Sequence, residues 1–137
     1  MKPVAFEYCR PDTLEEVMEL LTEFGGDASI ISGGVSLGAM LNMRLVRPKA
    51  LIDINHVLEL GNVEFDDATA ITGALVRQAA AQKMTSLMSG VPLLAMSLPW
   101  VGHYQTKSRG TLGGSVAHAD PSAEIPLTLG TRGGSVT

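Results

Sequence analysis

The stretch Ala28-Ser29-Ile30-Ile31-Ser32-Gly33-Gly34-Val35-Ser36-Leu37 decides the fold. Ala28 to Ile31 is long enough for one short buried strand, and the glycine pair punctuates its end. Leu37 to Leu45 then reads as a helix, broken by Arg47-Pro48, and Ala50-Leu51-Ile52-Asp53-Ile54 reads as a second apolar strand. Upstream, Val4 to Tyr8 alternates well enough for a strand, and Arg10-Pro11-Asp12 makes a turn. Thr13 and Glu16 stand three apart as a capping box. Leu14, Val17, Met18, Leu21 and Phe24 then recur at helical spacing until Gly25-Gly26 stops the helix. The order strand–helix–strand–helix–strand over residues 1–54 predicts parallel pairing with crossover helices.

The pattern changes after Asn55. Asn62 to Phe65 and Ala68 to Gly73 flank Asp66-Asp67, the signature of an antiparallel hairpin. Val76 to Met84 is alanine-rich and helical in character, and Pro92 to Val101 is an apolar helix interrupted at Pro99. His103 to Gly110 reads as a polar, basic loop, Ser122 to Leu129 as a short helix and Gly130 to Gly134 as a loose turn. Ser135-Val136-Thr137 looks like the start of a strand, so the second unit is expected to be incomplete at that end. The chain is therefore expected to be α+β, with a parallel-sheet lobe at 1–54 and a second α+β lobe at 55–137.

The first glycine pair has a counterpart, Thr111-Leu112-Gly113-Gly114-Ser115, which runs into Val116-Ala117-His118-Ala119-Asp120. Both sit where a loop hands over to a helix. Helix starts present unpaired N–H groups and a positive dipole end, so they attract phosphate. Ser36 and Ser115 can donate to the same anion, and Lys107 and Arg109 bring positive charge before the second loop. Two such starts predict a clamp on a diphosphate, and so a dinucleotide cofactor. Neither loop is a G-x-G-x-x-G or a P-loop, and turns use Gly-Gly freely. A third pair, Gly133-Gly134, precedes no helix and is not read as a ligand site.

Composition narrows the function class. The 137 residues are 45% hydrophobic but only 4% aromatic, so the core must be aliphatic. A net charge of −4 argues against a nucleic-acid surface. No apolar run approaches the roughly 18 residues a membrane span needs. The N-terminus lacks the apolar region of a secretory signal. The single cysteine, Cys9, fits a reducing compartment, and a cytoplasmic location is expected. It also means that an iron–sulfur cluster, with about four ligands, would have to sit on another chain. His56, His103 and His118 match no zinc spacing, and Ser115, His118 and Asp120 crowd one segment without a G-x-S-x-G elbow. Neither a metal centre nor a hydrolase is expected.

Ser32-Gly33-Gly34-Val35-Ser36-Leu37 with Arg44, Pro48 and Leu51-Ile52-Asp53-Ile54 resembles the first signature of the flavin subunits of molybdenum hydroxylases, the xanthine dehydrogenase and carbon monoxide dehydrogenase group. Gly102-His103, Gln105 and the run Arg109 to Pro121 resemble the second. The resemblance covers essentially the whole chain. It implies a two-lobed FAD-binding domain, with a small three-stranded parallel sheet followed by an antiparallel sheet with helices. It implies FAD held at its diphosphate by Ser32, Gly33, Gly34, Val35 and Ser36 and by Gly110, Thr111, Leu112, Gly113, Gly114 and Ser115. A carboxylate is implied near the ribityl chain, with Glu124 preferred for that contact and Asp120 for a capping or polar role beside it. The partners implied are a molybdopterin-binding large subunit and a 2Fe–2S small subunit, whose electrons pass through the flavin to an external acceptor. No side chain of this chain is then expected to act as acid or base. The chain departs from the family pattern at Gly38-Ala39, Tyr104 and Ser108. The alternative expectation is a non-catalytic nucleotide-diphosphate binding or assembly module.

Overall fold

The computed structural model describes residues 1–66 and 69–137. Three short strands, β1 (Glu7–Cys9), β2 (Ala28–Ile31) and β3 (Ala50–Asp53), form one sheet in the order β1-β3-β2. Both pairings are parallel, with Glu7 and Ala28 each opposite Ala50. As the central strand, β3 is shielded on both edges, and Ala50, Leu51 and Ile52 are all buried. The crossovers are α1 (Leu14–Phe24) and α2 (Val35–Asn42).

Local chemistry sets the helix ends. Thr13 Oγ1 accepts the Glu16 N–H at 3.2 Å, as the capping box requires. The Glu16 carboxylate reaches one residue further back than that motif places it, to the Asp12 N–H at 2.7 Å. Gly25 takes φ +52° and ends α1. Helix α2 stops at Asn42, short of the expected Leu45. Arg44 adopts φ 58°, and the Leu45 N–H turns back to the Met40 carbonyl at 2.9 Å. A left-handed residue after the last turn closes a helix in this way, and here arginine takes the place usually held by glycine.

The second half opens with an antiparallel pair, β4 (Val63–Phe65) and β5 (Ala70–Thr72). The expected hairpin turn at Asp66-Asp67 and strand start at Ala68 fall partly outside the described residues. Among the described residues six short α-helices follow: α3 (Gln78–Ala81), α4 (Thr85–Gly90), α5 (Pro92–Ser97), α6 (Tyr104–Arg109), α7 (Leu112–His118) and α8 (Glu124–Thr131). The alanine-rich helix expected over 76–84 is only one turn long. Residues 76–78 are instead drawn into an antiparallel bridge with 110–112. The Leu112 N–H donates to the Val76 carbonyl and the Gln78 N–H to the Gly110 carbonyl, each at 2.9 Å.

The basic loop expected at 103–110 is helix α6. Lys107 does not add charge to the glycine loop. It is buried, and its Nζ donates to the Leu98 carbonyl at 3.2 Å. Its charge hid a core-facing position. At the far end Gly133 takes φ +66° and the Gly134 N–H returns to the Leu129 carbonyl, closing α8. Ser135 to Thr137 form no strand.

Two apolar cores result. Val17, Ile52, Ile54, Val57 and Leu75 pack under the parallel sheet. Val76, Ala81, Leu87, Leu94, Leu98, Val101, Leu112 and Ile125 form the second core. Chain segments that follow residue 54 thus contribute Val57 and Leu75 to the first core. Among the described residues no helix is long and apolar enough to cross a membrane.

Candidate functional site

The two glycine segments, far apart in sequence, touch. Ser32 Oγ lies 3.1 Å from Thr111 Oγ1. A Cβ on Gly33 would stand 2.2 Å from the Arg109 carbonyl oxygen, a distance no real contact tolerates. Arg109 Nε lies 3.5 Å from the Gly33 carbonyl oxygen, at the limit of a hydrogen bond. The meeting point lies at the carboxyl end of β2 and the start of α2, where open parallel sheets bind ligands.

The two helix starts differ. Gly34 caps α2 in the left-handed conformation, with φ 67°, and offers no side chain to the first turn. The first hydrogen bond of α2 runs from the Gly38 N–H to the Gly34 carbonyl at 2.9 Å. Val35 and Ser36 are exposed on that opening turn, so their N–H groups are placed for an anion. Helix α7 is capped from within: Thr111, only 2% exposed, accepts the Gly114 N–H on its Oγ1 at 2.9 Å. The Leu112 N–H is likewise taken, by Val76. The second start therefore has less backbone to give than the first, and Gly113 carries its most available N–H.

The glycines of the second loop are small because protein atoms surround them. A Cβ on Gly113 would meet Ala74 Cα at 2.6 Å, and one on Gly114 would meet Thr111 Oγ1 at 2.7 Å and Ser32 Oγ at 3.1 Å. Gly110 packs on the Gln78 side chain, whose Oε1 is buried without a partner among the described residues. Ser115 is half-buried in the first turn of α7.

Asp120 and Glu124 do not share a helix. Helix α7 ends at His118 with Ala119 left-handed at φ 53°, and α8 begins at Glu124. Asp120 lies between them, exposed, and its Oδ1 accepts from the Ser122 N–H at 2.8 Å and Ser122 Oγ at 2.7 Å. Those two bonds hold its carboxyl below the usual range. This is a local turn-capping arrangement. Glu124 is half-buried at the first position of α8.

Three residues that no sequence motif assigns to the site hold the junction together. Asn55, just after β3, donates from Nδ2 to the Ser32 carbonyl at 2.8 Å. Arg77 donates to the Arg109 carbonyl and to Asn55 Oδ1. Gln78 Nε2 lies 3.3 Å from the Thr111 carbonyl. The available clue was position alone, since Asn55 lies two residues beyond the end of the central strand. Among the described residues no group of three or more His, Cys, Asp or Glu could hold a metal ion.

Comparison with known proteins identifies the family. The family described as "FAD binding domain in molybdopterin dehydrogenase" matches residues 4–137. The chain is 43% identical over 129 residues to the 6-hydroxypseudooxynicotine dehydrogenase complex subunit alpha of Paenarthrobacter nicotinovorans, covering 94% of this chain and 44% of that one. Among solved structures, quinoline 2-oxidoreductase from Pseudomonas putida 86 superposes with TM-score 0.91 at 40% identity, over 96% of this chain and 46% of that one. Carbon monoxide dehydrogenase from Hydrogenophaga pseudoflava gives TM-score 0.88 at 35% identity, over 92% and 44%. The chain thus spans less than half the length of the relatives it matches.

Proposed function

The chain belongs to the family of FAD binding domains in molybdopterin dehydrogenases, and on that premise we propose that it holds FAD as the electron-transfer part of a molybdenum-containing hydroxylase or dehydrogenase. The observation that supports this most is the contact of the two glycine loops, Ser32 Oγ to Thr111 Oγ1 at 3.1 Å. It brings the open start of α2 beside the start of α7, so one diphosphate can meet both.

In this reading the Val35 and Ser36 N–H groups and the Ser36 hydroxyl bind the diphosphate from one side. The Gly113 N–H and Ser115 approach it from the other, and Arg109 supplies positive charge at the rim. Ser32, Gly33, Gly34, Gly110, Thr111, Leu112 and Gly114 shape the backbone that presents these donors. Lobes 1–54 and 55–137 would each contribute one loop. Glu124, on a helix of the second lobe, is assigned to the ribityl chain, and Asp120 to the turn that leads into that helix. When bound, FAD supplies the redox chemistry, and the protein binds and orients it.

The partners in this proposal are a molybdopterin-binding large subunit, where substrate is oxidised, and a 2Fe–2S small subunit that delivers electrons. Cys9 is the single cysteine, which supports placing the clusters elsewhere and the complex in the cytoplasm. The test is to incubate the purified chain with FAD, remove free flavin and measure what remains. One flavin per chain is expected. A chain that retains none, with its fold intact by circular dichroism, overturns the proposal.

A further inference from the structure

We propose that Asn55 and Arg77 act together as a bracket that fixes the spacing between the two glycine loops, and so are positioning residues for the diphosphate site. The inference rests on the functional reading above. Each loop is gripped by a backbone carbonyl. Asn55 Nδ2 donates to the Ser32 carbonyl at 2.8 Å on the first loop. Arg77 donates through Nη1 to the Arg109 carbonyl on the second. The bracket closes because Arg77 Nη2 donates to Asn55 Oδ1. One guanidinium fork thus addresses both sides, a geometry an ammonium cannot reproduce.

Both members are themselves held. The Arg77 backbone lies in the antiparallel bridge opposite Thr111. Asn55 leaves β3 through a turn in which its own N–H donates to Asp53 Oδ1 at 3.0 Å. Asp53 in turn accepts from the Tyr8 hydroxyl. The network therefore runs from the parallel sheet to the second loop through Tyr8, Asp53, Asn55 and Arg77. It also gathers charge: burial and the neighbouring Arg109 both disfavour the Arg77 cation, with Asp53 opposing them. An anion bound between the loops would relieve that repulsion.

The test uses the whole chain and two readouts, FAD affinity and amide hydrogen exchange without flavin. Arg77→Ala is expected to weaken FAD binding about 10- to 100-fold, the loss of charge-assisted hydrogen bonds. It should also speed exchange about tenfold or more at residues 32–36, on the opposite loop. Arg77→Lys should not restore either value, whereas full rescue by lysine would mean that charge alone matters and would overturn the bracket. Asn55→Ala removes the donor to Ser32 without setting a charge against Asp53 and leaves Arg77 on the Arg109 carbonyl, so it should loosen residues 32–36 and spare 109–112. This second variant decides the matter if Arg77→Ala does not fold. Unchanged exchange at 32–36 in both variants overturns the inference. If the wild type binds no FAD while the variants still loosen the first loop, the bracket stands and the functional reading fails.

Discussion

At the scale of single residues, glycine here serves packing between lobes as much as access to a ligand. Gly33→Ala would drive a methyl into the Arg109 carbonyl, 2.2 Å away. Denaturant melts should show a loss of about 1–3 kcal/mol, the usual cost of overpacking. A wild-type midpoint would mean that the loops part without strain. Gly114→Asp should abolish flavin retention: its side chain would collide with Thr111 Oγ1 and Ser32 Oγ and set a negative charge beside the diphosphate. Retention equal to wild type would refute the assignment of this loop. The Gly-Gly pairs were visible in the sequence, but their neighbours were not. What makes Gly33 indispensable is a carbonyl contributed by α6, a segment that looked like a polar loop. Lys107 misled for a related reason, because its charge is spent on a buried carbonyl. Asn55 and Arg77 went unseen since neither belongs to a motif.

At the scale of elements, two capped helices invite a comparison. Thr13 caps α1 away from the loops, and Thr111 caps α7 within them. Thr13→Ala should cost about 1 kcal/mol and leave FAD affinity unchanged. Thr111→Ala should cost about as much or more and also weaken FAD binding, with Thr111→Ser restoring much of both. Equal flavin affinity in the two alanine variants would separate the cap from the site. Strand β3 carries a pH signature. Burial alone would raise the Asp53 carboxyl, but the Tyr8 hydroxyl and the Asn55 N–H groups, helped by His56, hold it below its usual 3.8. A carboxyl depressed by folding stabilises the fold above the unfolded value, and that stabilisation is lost as pH falls through the folded value. Melting curves between about pH 5 and pH 2 should therefore fall more steeply for the wild type than for Asp53→Asn. Parallel slopes would show that Asp53 contributes nothing. Strands β2 and β3 and helix α1 were legible because periodicity and caps are local, whereas β1 starts at Glu7 rather than Val4 and the strand expected at Ser135 does not form. Helix α3 was overestimated because its first residues are claimed by a bridge to Thr111, a long-range pairing that propensity cannot register.

At the scale of the whole molecule, the chain is two cores joined through a polar seam. The first core takes in Val57 and Leu75, and the second begins at Val76. The change from parallel to antiparallel pairing was readable in the sequence, and the family was readable in the two signatures. The return of Val57 and Leu75 onto the first core was not, since few short elements announce where they pack. The seam is where the open start of α2 meets the capped start of α7, and the account stands on one anion bridging them. The most direct measurement is a titration of the isotope-labelled chain with FAD, followed by backbone amide NMR. The largest shifts are predicted at Val35, Ser36 and Gly113, saturating together at one FAD per chain. Saturation with shifts confined to one loop, or no shift at either, would contradict the claim that the two loops form a single diphosphate site.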